Sequence, residues 1–240
     1  MENIMKNEFE ILPKSKIDKF HQLTEILLRE NAKCNLTRIV EPAQIETRHY
    51  ADSLIVSDIL RDYEANLKVA PNLIDIGSGA GFPCLAIAIV FDNWRITSVE
   101  STGKKADFQK LAAKELGLTN FKVVSARAED IAKEERYWQK FDIATARAVS
   151  HLAIITEFAL PFLRVGGIFL AWKGPKADQE IIESEKIVAK LGISSLESLP
   201  YSLEGMEHGR IIKAEKVKDT PTMYPRAFGI LKKTVPVGPK

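Results

Sequence analysis

The stretch Leu73-Ile-Asp-Ile-Gly-Ser-Gly-Ala-Gly-Phe-Pro83 restricts this chain more than any other part of it. A short apolar run stops at three glycines, and a second apolar segment, Leu85 to Phe91, follows at once. That order reads as strand, tight turn and buried helix, because glycine tolerates positive φ and lets backbone approach a ligand closely. In open α/β sheets such a turn falls at the carboxyl edge of the strands, where ligands bind. The longest run without charge, Ile76 to Phe91, spans 16 residues and contains three glycines and a proline, so it is no bilayer-spanning helix.

The rest of the chain supplies a fold for that turn. Arg95 to Glu100, Phe121 to Val124, Phe141 to Thr145 and Ile168 to Trp172 read as strands, with helices expected over Lys104–Leu116 and His151–Leu163. Gly117 is the expected C-cap of the first of these helices, and Gly166-Gly167 a turn before the last strand. Strand and helix alternating through short links means right-handed βαβ units on a parallel sheet. Before them, Ile17, Phe20, Leu23, Ile26 and Leu27 recur at helical spacing, and Pro42 opens a second helix expected to reach Tyr63. After them, Ile193–Leu199 and Arg210–Val217, joined through Gly205 and Gly209, read as a closing hairpin. The expectation is an α/β doubly wound, Rossmann-like sheet with an N-terminal helical layer (1–64), a ligand-binding domain (65–217) with antiparallel final strands, and a basic tail (218–240).

A chain of 240 residues with 45% hydrophobic residues can fill such a core. The first ten residues hold Glu2, Lys6, Glu8 and Glu10 and no apolar signal segment, and Cys34 and Cys84 make neither a disulfide framework nor a metal set. A soluble, cytoplasmic, metal-free, monomeric protein with no membrane contact is expected. Net charge is +2, but from Gly209 onward eight Lys/Arg face only Glu215 and Asp219. A basic end of that kind suits either solubility or a polyanion.

The glycine spacing decides the ligand. Dinucleotide folds use G-x-G-x-x-G, with a pyrophosphate at the helix N-terminus. Here the order is Gly77-x-Gly79-x-Gly81, and Asp75 stands two residues before it, which suits an ammonium group and opposes a pyrophosphate. Glu100 ends the next strand, placed to accept the hydroxyls of a ribose. An ammonium, a ribose and no phosphate describe S-adenosylmethionine.

Phe158 to Leu170, a helix, a Gly-Gly step and a strand, looks like the fifth-strand entry of class I methyltransferases, and that resemblance covers about residues 65–217. A narrower set runs through nearly the whole chain: Asn35-Leu-Thr37, Arg48-His-Tyr-Ala-Asp-Ser53, Gly77 to Pro83, Glu100-Ser-x-x-Lys-Lys105, Ala126-Arg-Ala-Glu129, Ala146-Arg-Ala148 and Tyr224-Pro-Arg226. In that order and spacing it resembles the RsmG family (glucose-inhibited division protein B), bacterial small-subunit ribosomal RNA guanine-N7 methyltransferases. The resemblance implies S-adenosyl-L-methionine as cofactor and 16S ribosomal RNA, within the small subunit, as partner. It places Gly77 and Phe82 at the methionine part of the ligand, Glu100 at the ribose, Ala128 and Glu129 at the adenine and Arg147 beside the methyl group. Asp75 and Gly79 complete the expected cofactor set. Two positions depart from the family: Glu30 precedes Asn31 where a Trp is usual, and Cys84 replaces a glycine after Phe82-Pro83.

Guanine N7 carries a lone pair on the major-groove edge, so no general base is required. Arg147 is the expected catalytic residue, by orientation, at guanine O6 or a phosphate; an ion pair with Glu129 or Asp142 is the structural alternative. His49, Asp52 and Ser53 share one helix face, which either shapes the RNA site or ties the helix to the sheet through a buried His–Asp pair. With Lys173 and Arg226 they complete the RNA candidates. Competing functions are methylation of another RNA or of a small molecule, and a non-catalytic ribosome-binding role.

Overall fold

The computed structural model describes residues 11–234, so Lys240 of the basic tail and the charged first ten residues lie outside it. It contains one seven-stranded sheet in the order β3-β2-β1-β4-β5-β7-β6. The strands are β1 (Asn72–Ile76), β2 (Arg95–Glu100), β3 (Phe121–Ser125), β4 (Phe141–Arg147), β5 (Leu163–Lys173), β6 (Ile193–Leu203) and β7 (Met206–Lys216). β1 to β5 are parallel, and β7 and β6 add to β5 antiparallel. β1 pairs with both β2 and β4, so the strand order reverses beside it, and that reversal opens a crevice at the carboxyl ends.

Side-chain alternation along the strands splits the interior in two. Leu73, Leu170 and Trp172 pack on one face with α1 (Lys14–Cys34), α5 (Cys84–Val90) and α6 (Gly103–Glu115), and Ile74, Phe169 and Ala171 on the other with α8 (Leu152–Ala159). The N-terminal helices thus share a core with the sheet. In the link from α5 to β2, Trp94 is fully buried, its Nε1 donating to Glu64 at 2.8 Å. No helix of the described residues is long and apolar enough to cross a membrane.

Four local expectations are corrected. The helix expected from Pro42 to Tyr63 is interrupted: α2 (Pro42–Ile45) runs into a π-helical turn, Glu46–Ala51, then α3 (Asp52–Leu54), and the chain turns at Ile55-Val56 before α4 (Ser57–Ala65). π-turns inside helices are frequent at functional sites. Gly166-Gly167 is a bulge inside β5, not a turn: Phe141 pairs with Leu163 but Ile143 with Ile168. A Cβ on Gly167 would stand 2.9 Å from the Asp142 carbonyl oxygen, which explains the glycine. Gly209 lies within β7, where the Tyr201 ring covers it and leaves no room for a Cβ. Finally, α9 (Ala177–Leu191) fills a stretch in which no element was expected; it caps at Gly192 with φ +89 and buries Ala177, Ser184, Val188 and Leu191.

The segment after β7 folds back onto the body. Thr220 Oγ1 donates to Leu191 O at 3.0 Å, and α10 (Phe228–Thr234) buries Leu231 completely. Lys232 and Lys233 are exposed at its end.

Candidate active site

The crevice beside β1 forms an open cleft. Gly77 and Val99 line it from the ends of β1 and β2, Ala128 and Glu129 from α7 (Ala128–Ile131), and Val149 from the loop after β4. Gly77 has φ +68, and a Cβ there would stand 2.8 Å from Val149 Cγ2. Any side chain would both strain the backbone and fill the cleft. At Gly79, by contrast, a Cβ would meet nothing within 4 Å, so the loop is open on that side.

Glu100 is buried, and each of its oxygens is fixed by backbone: Oε2 accepts from Gly79 N at 2.8 Å and Oε1 from Thr102 N at 2.7 Å. These bonds orient the carboxylate and leave each oxygen a second lone pair. Ser78, Ser98 and Gln109 brace the loop beneath, with Gln109 Nε2 donating to Ser78 Oγ at 2.9 Å and to Gly79 O at 2.8 Å. Asp75 lies under the loop, fully buried, and does not line the cleft. Its Oδ1 accepts from Thr145 Oγ1 at 2.7 Å, whereas Oδ2 lacks a partner in hydrogen-bond geometry although Cys84 lies beside it. Burial raises the Asp75 pKa to about 6 and pushes the Cys84 thiol up, so Cys84 is not an activated nucleophile.

A second cluster gathers on Arg147, at the end of β4. Nη1 donates to Asp52 Oδ2 at 2.7 Å and to Arg48 O at 3.1 Å, and Nη2 faces His49 Nδ1 at 3.3 Å. Its partner is therefore Asp52, neither Glu129 nor Asp142; Glu129 lies 3.9 Å from Arg127, and Asp142 accepts from Arg164 and from Asn72 N. His49 and Asp52 do not pair with each other but hold Arg147 between them. Because the guanidinium can only donate, His49 Nδ1 accepts, and its proton sits on Nε2, directed to Thr37 Oγ1 at 3.2 Å. Asp52 also takes the Tyr201 hydroxyl on Oδ1 at 2.6 Å, and its carbonyl accepts from Trp172 Nε1 at 2.8 Å. Phe82 is stacked on His49 at 4.5 Å and 4°, with the Arg147 guanidinium 5.6 Å from its ring centroid. The π-turn supplies Arg48 and His49, and α3 supplies Asp52, to a single guanidinium.

Lys173 and Arg226, expected at phosphate, are engaged inward. Lys173 Nζ donates to Ser150 O at 2.6 Å and pairs with Glu180 at 2.7 Å, and burial lowers its pKa. Arg226 forks onto the fully buried Glu157. Nothing local to Tyr201 or Trp172 signals their contact with Asp52, since Tyr201 and Asp52 are 149 residues apart; Thr37 stands in the Asn35-Leu-Thr37 motif, and its bond to His49 forms only in the fold.

Burial and the Arg147 charge lower the His49 pKa to about 3. A folded-state value below the unfolded 6.5 gives stability that is complete above pH 6.5 and lost as pH falls toward 3. Asp75, raised to about 6, acts oppositely: its contribution is present below the unfolded carboxylate value and lost as pH rises through 6. Between pH 6.5 and 5 the two slopes oppose each other. Replacing His49 with Gln should therefore make the urea midpoint fall less, or rise, on acidification over that window; a wild-type pH dependence in His49→Gln would refute the assignment.

Residues 16–208 match the family model GidB, described as rRNA small subunit methyltransferase G. The chain is 37% identical over 223 residues to the ribosomal RNA small subunit methyltransferase G of Clostridium beijerinckii, covering 92% of this chain and 91% of that protein. It is 39% identical over 214 residues to the one of Desulfitobacterium hafniense, covering 89% and 86%. Among solved structures, an O-methyltransferase from Bacillus cereus in complex with SAH superposes with TM-score 0.58 at 18% identity, over 81% of this chain and 91% of that one. The CurJ carbon methyltransferase gives TM-score 0.59 at 14% identity, over 85% and 71%. These last two share the fold with this chain.

Proposed function

This chain belongs to the family of ribosomal RNA small subunit methyltransferase G, and on that premise we propose how its residues carry the family's reaction. The enzyme transfers the methyl group of S-adenosylmethionine to N7 of a guanine in 16S ribosomal RNA. The cofactor, when bound, supplies an electrophilic methyl on a sulfonium, and everything else is positioning. Gly77 keeps the methionine end of the cleft clear. Glu100 accepts the ribose hydroxyls, and Ala128 and Glu129 border the adenine. Asp75, buried beneath the loop, would supply negative charge on the ammonium's side of the site, and Gly79 holds Glu100 in place. Phe82 presents a ring between the loop and Arg147.

Arg147 orients the acceptor. Three of its five N–H groups go to Asp52, Arg48 and His49, leaving the Nε edge for guanine O6 or a phosphate. His49 Nδ1 and both Asp52 carboxylate oxygens already accept hydrogen bonds, and N7 methylation releases no proton before attack. The substrate is RNA; the form we propose is 16S RNA already folded in the small subunit, modified by a monomer in the cytoplasm. The observation that carries the cofactor reading is the Glu100 carboxylate fixed at both oxygens beside the open Gly79 loop.

Methyl transfer from labelled S-adenosylmethionine to small subunits, naked ribosomal RNA and a metabolite extract, followed by nucleoside chromatography, tests it. Label should appear as 7-methylguanosine, most strongly with assembled subunits. Label in a metabolite, or none, would overturn the substrate.

A further inference from the structure

The cleft is not closed by sheet and loops alone. Phe228, the first residue of α10, lines the same cavity as Gly77, Ala128 and Glu129, although the chain reaches it only after the last strand. Its ring stands 6.2 Å from that of Phe158 of α8, which lines the cavity too. Two residues earlier, Arg226 Nε and Nη2 donate to Glu157 at 3.0 and 2.7 Å, and the Arg226 amide adds a bond at 2.7 Å. Glu157 is fully buried, so its charge is tolerable only with that partner in place. The fork is a latch between α8 and the segment that carries Phe228.

We propose that Phe228 is a cofactor-binding residue whose ring forms the wall against which the adenine packs, and that Arg226 is the positioning residue that holds it there. The proposal rests on the cofactor reading above and adds to it a residue from outside the sheet and its loops. The chemistry of the wall selects the end of the ligand. Val99, Ala126, Phe158 and Phe228 make this part of the cleft apolar, which suits a flat heteroaromatic ring and not a zwitterionic amino acid. Glu129, at the same cleft, provides an acceptor for an exocyclic amine.

Calorimetric titration of the full chain with S-adenosylhomocysteine and with adenosine decides the matter. Phe228→Ala should weaken both ligands by about tenfold or more and by a similar factor, as loss of base–aromatic packing does. Phe228→Leu keeps apolar bulk against Phe158 and should still lose several-fold, with Phe228→Tyr restoring binding. Arg226→Gln should lower affinity for both ligands as well. Wild-type affinity in Phe228→Ala and Phe228→Leu would overturn the proposal, as would a loss for S-adenosylhomocysteine with none for adenosine. If the wild-type protein takes up no S-adenosylhomocysteine, the cofactor reading itself falls, and the proposal with it.

Discussion

Glu100→Ala should weaken S-adenosylhomocysteine binding by at least about a hundredfold, because two hydrogen bonds to a charged acceptor, at about 1.5–3 kcal/mol each, vanish together. The structure adds a sharper expectation for the isosteric amide. Both Glu100 oxygens already accept from backbone N–H groups, of Gly79 and Thr102. A glutamine must turn its NH₂ toward one of those donors, so Glu100→Gln either breaks the loop contact or rotates away from the ribose. It should therefore bind nearly as badly as the alanine variant, although its size is unchanged. Titration calorimetry on both variants reads this directly; an amide variant with wild-type affinity would mean that the carboxylate does not hold the ribose.

The second large effect concerns Arg147 and Asp52. Their ion pair is 2.7 Å long, with the side chains 15% and 3% exposed. Removing one partner of such a pair strands the other, at a cost of about 3–5 kcal/mol. Arg147→Ala and Asp52→Ala should each lower the urea midpoint strongly, and the double variant should cost much less than the two together. Additive losses in that cycle would show that the pair does not hold α3 to β4. Arg147→Lys separates stability from transfer. A lysine can still reach a carboxylate, but a point charge cannot serve Asp52, Arg48 O and His49 Nδ1 while keeping a free edge for the acceptor. That variant should stay folded and bind cofactor with little change, yet lose most of its transfer rate.

The sequence presents Arg147 as an arginine at a strand end, with Glu129 or Asp142 as its structural partners. Folding brings Asp52 to it, across 95 residues, and Tyr201 to Asp52 from the far hairpin. The tail undergoes a similar change. A run of lysines and arginines reads as a solvated or polyanion-binding end, but Arg226 latches onto a buried glutamate and Leu231 enters the core. Removing the whole segment would test folding, not charge.

What the amino-acid sequence determined by itself is the set of features encoded locally. The strand–glycine–helix turn, the parallel alternation and the acid at the end of β2 all depend on residues within a few positions of each other, through backbone freedom and hydrophobic period. The tertiary structure alone decided which charges meet. The break in the helix after Pro42 and the bulge at Gly166-Gly167 arise where packing against distant strands overrides local preference, whereas α9, amphipathic and capped at Gly192, follows its own local pattern. The Arg147 cluster and the Phe228 wall join elements far apart in the chain, and no periodicity records such a meeting. A buried charge selects its partner by proximity in the folded state, because only there does desolvation make an unpaired ion costly.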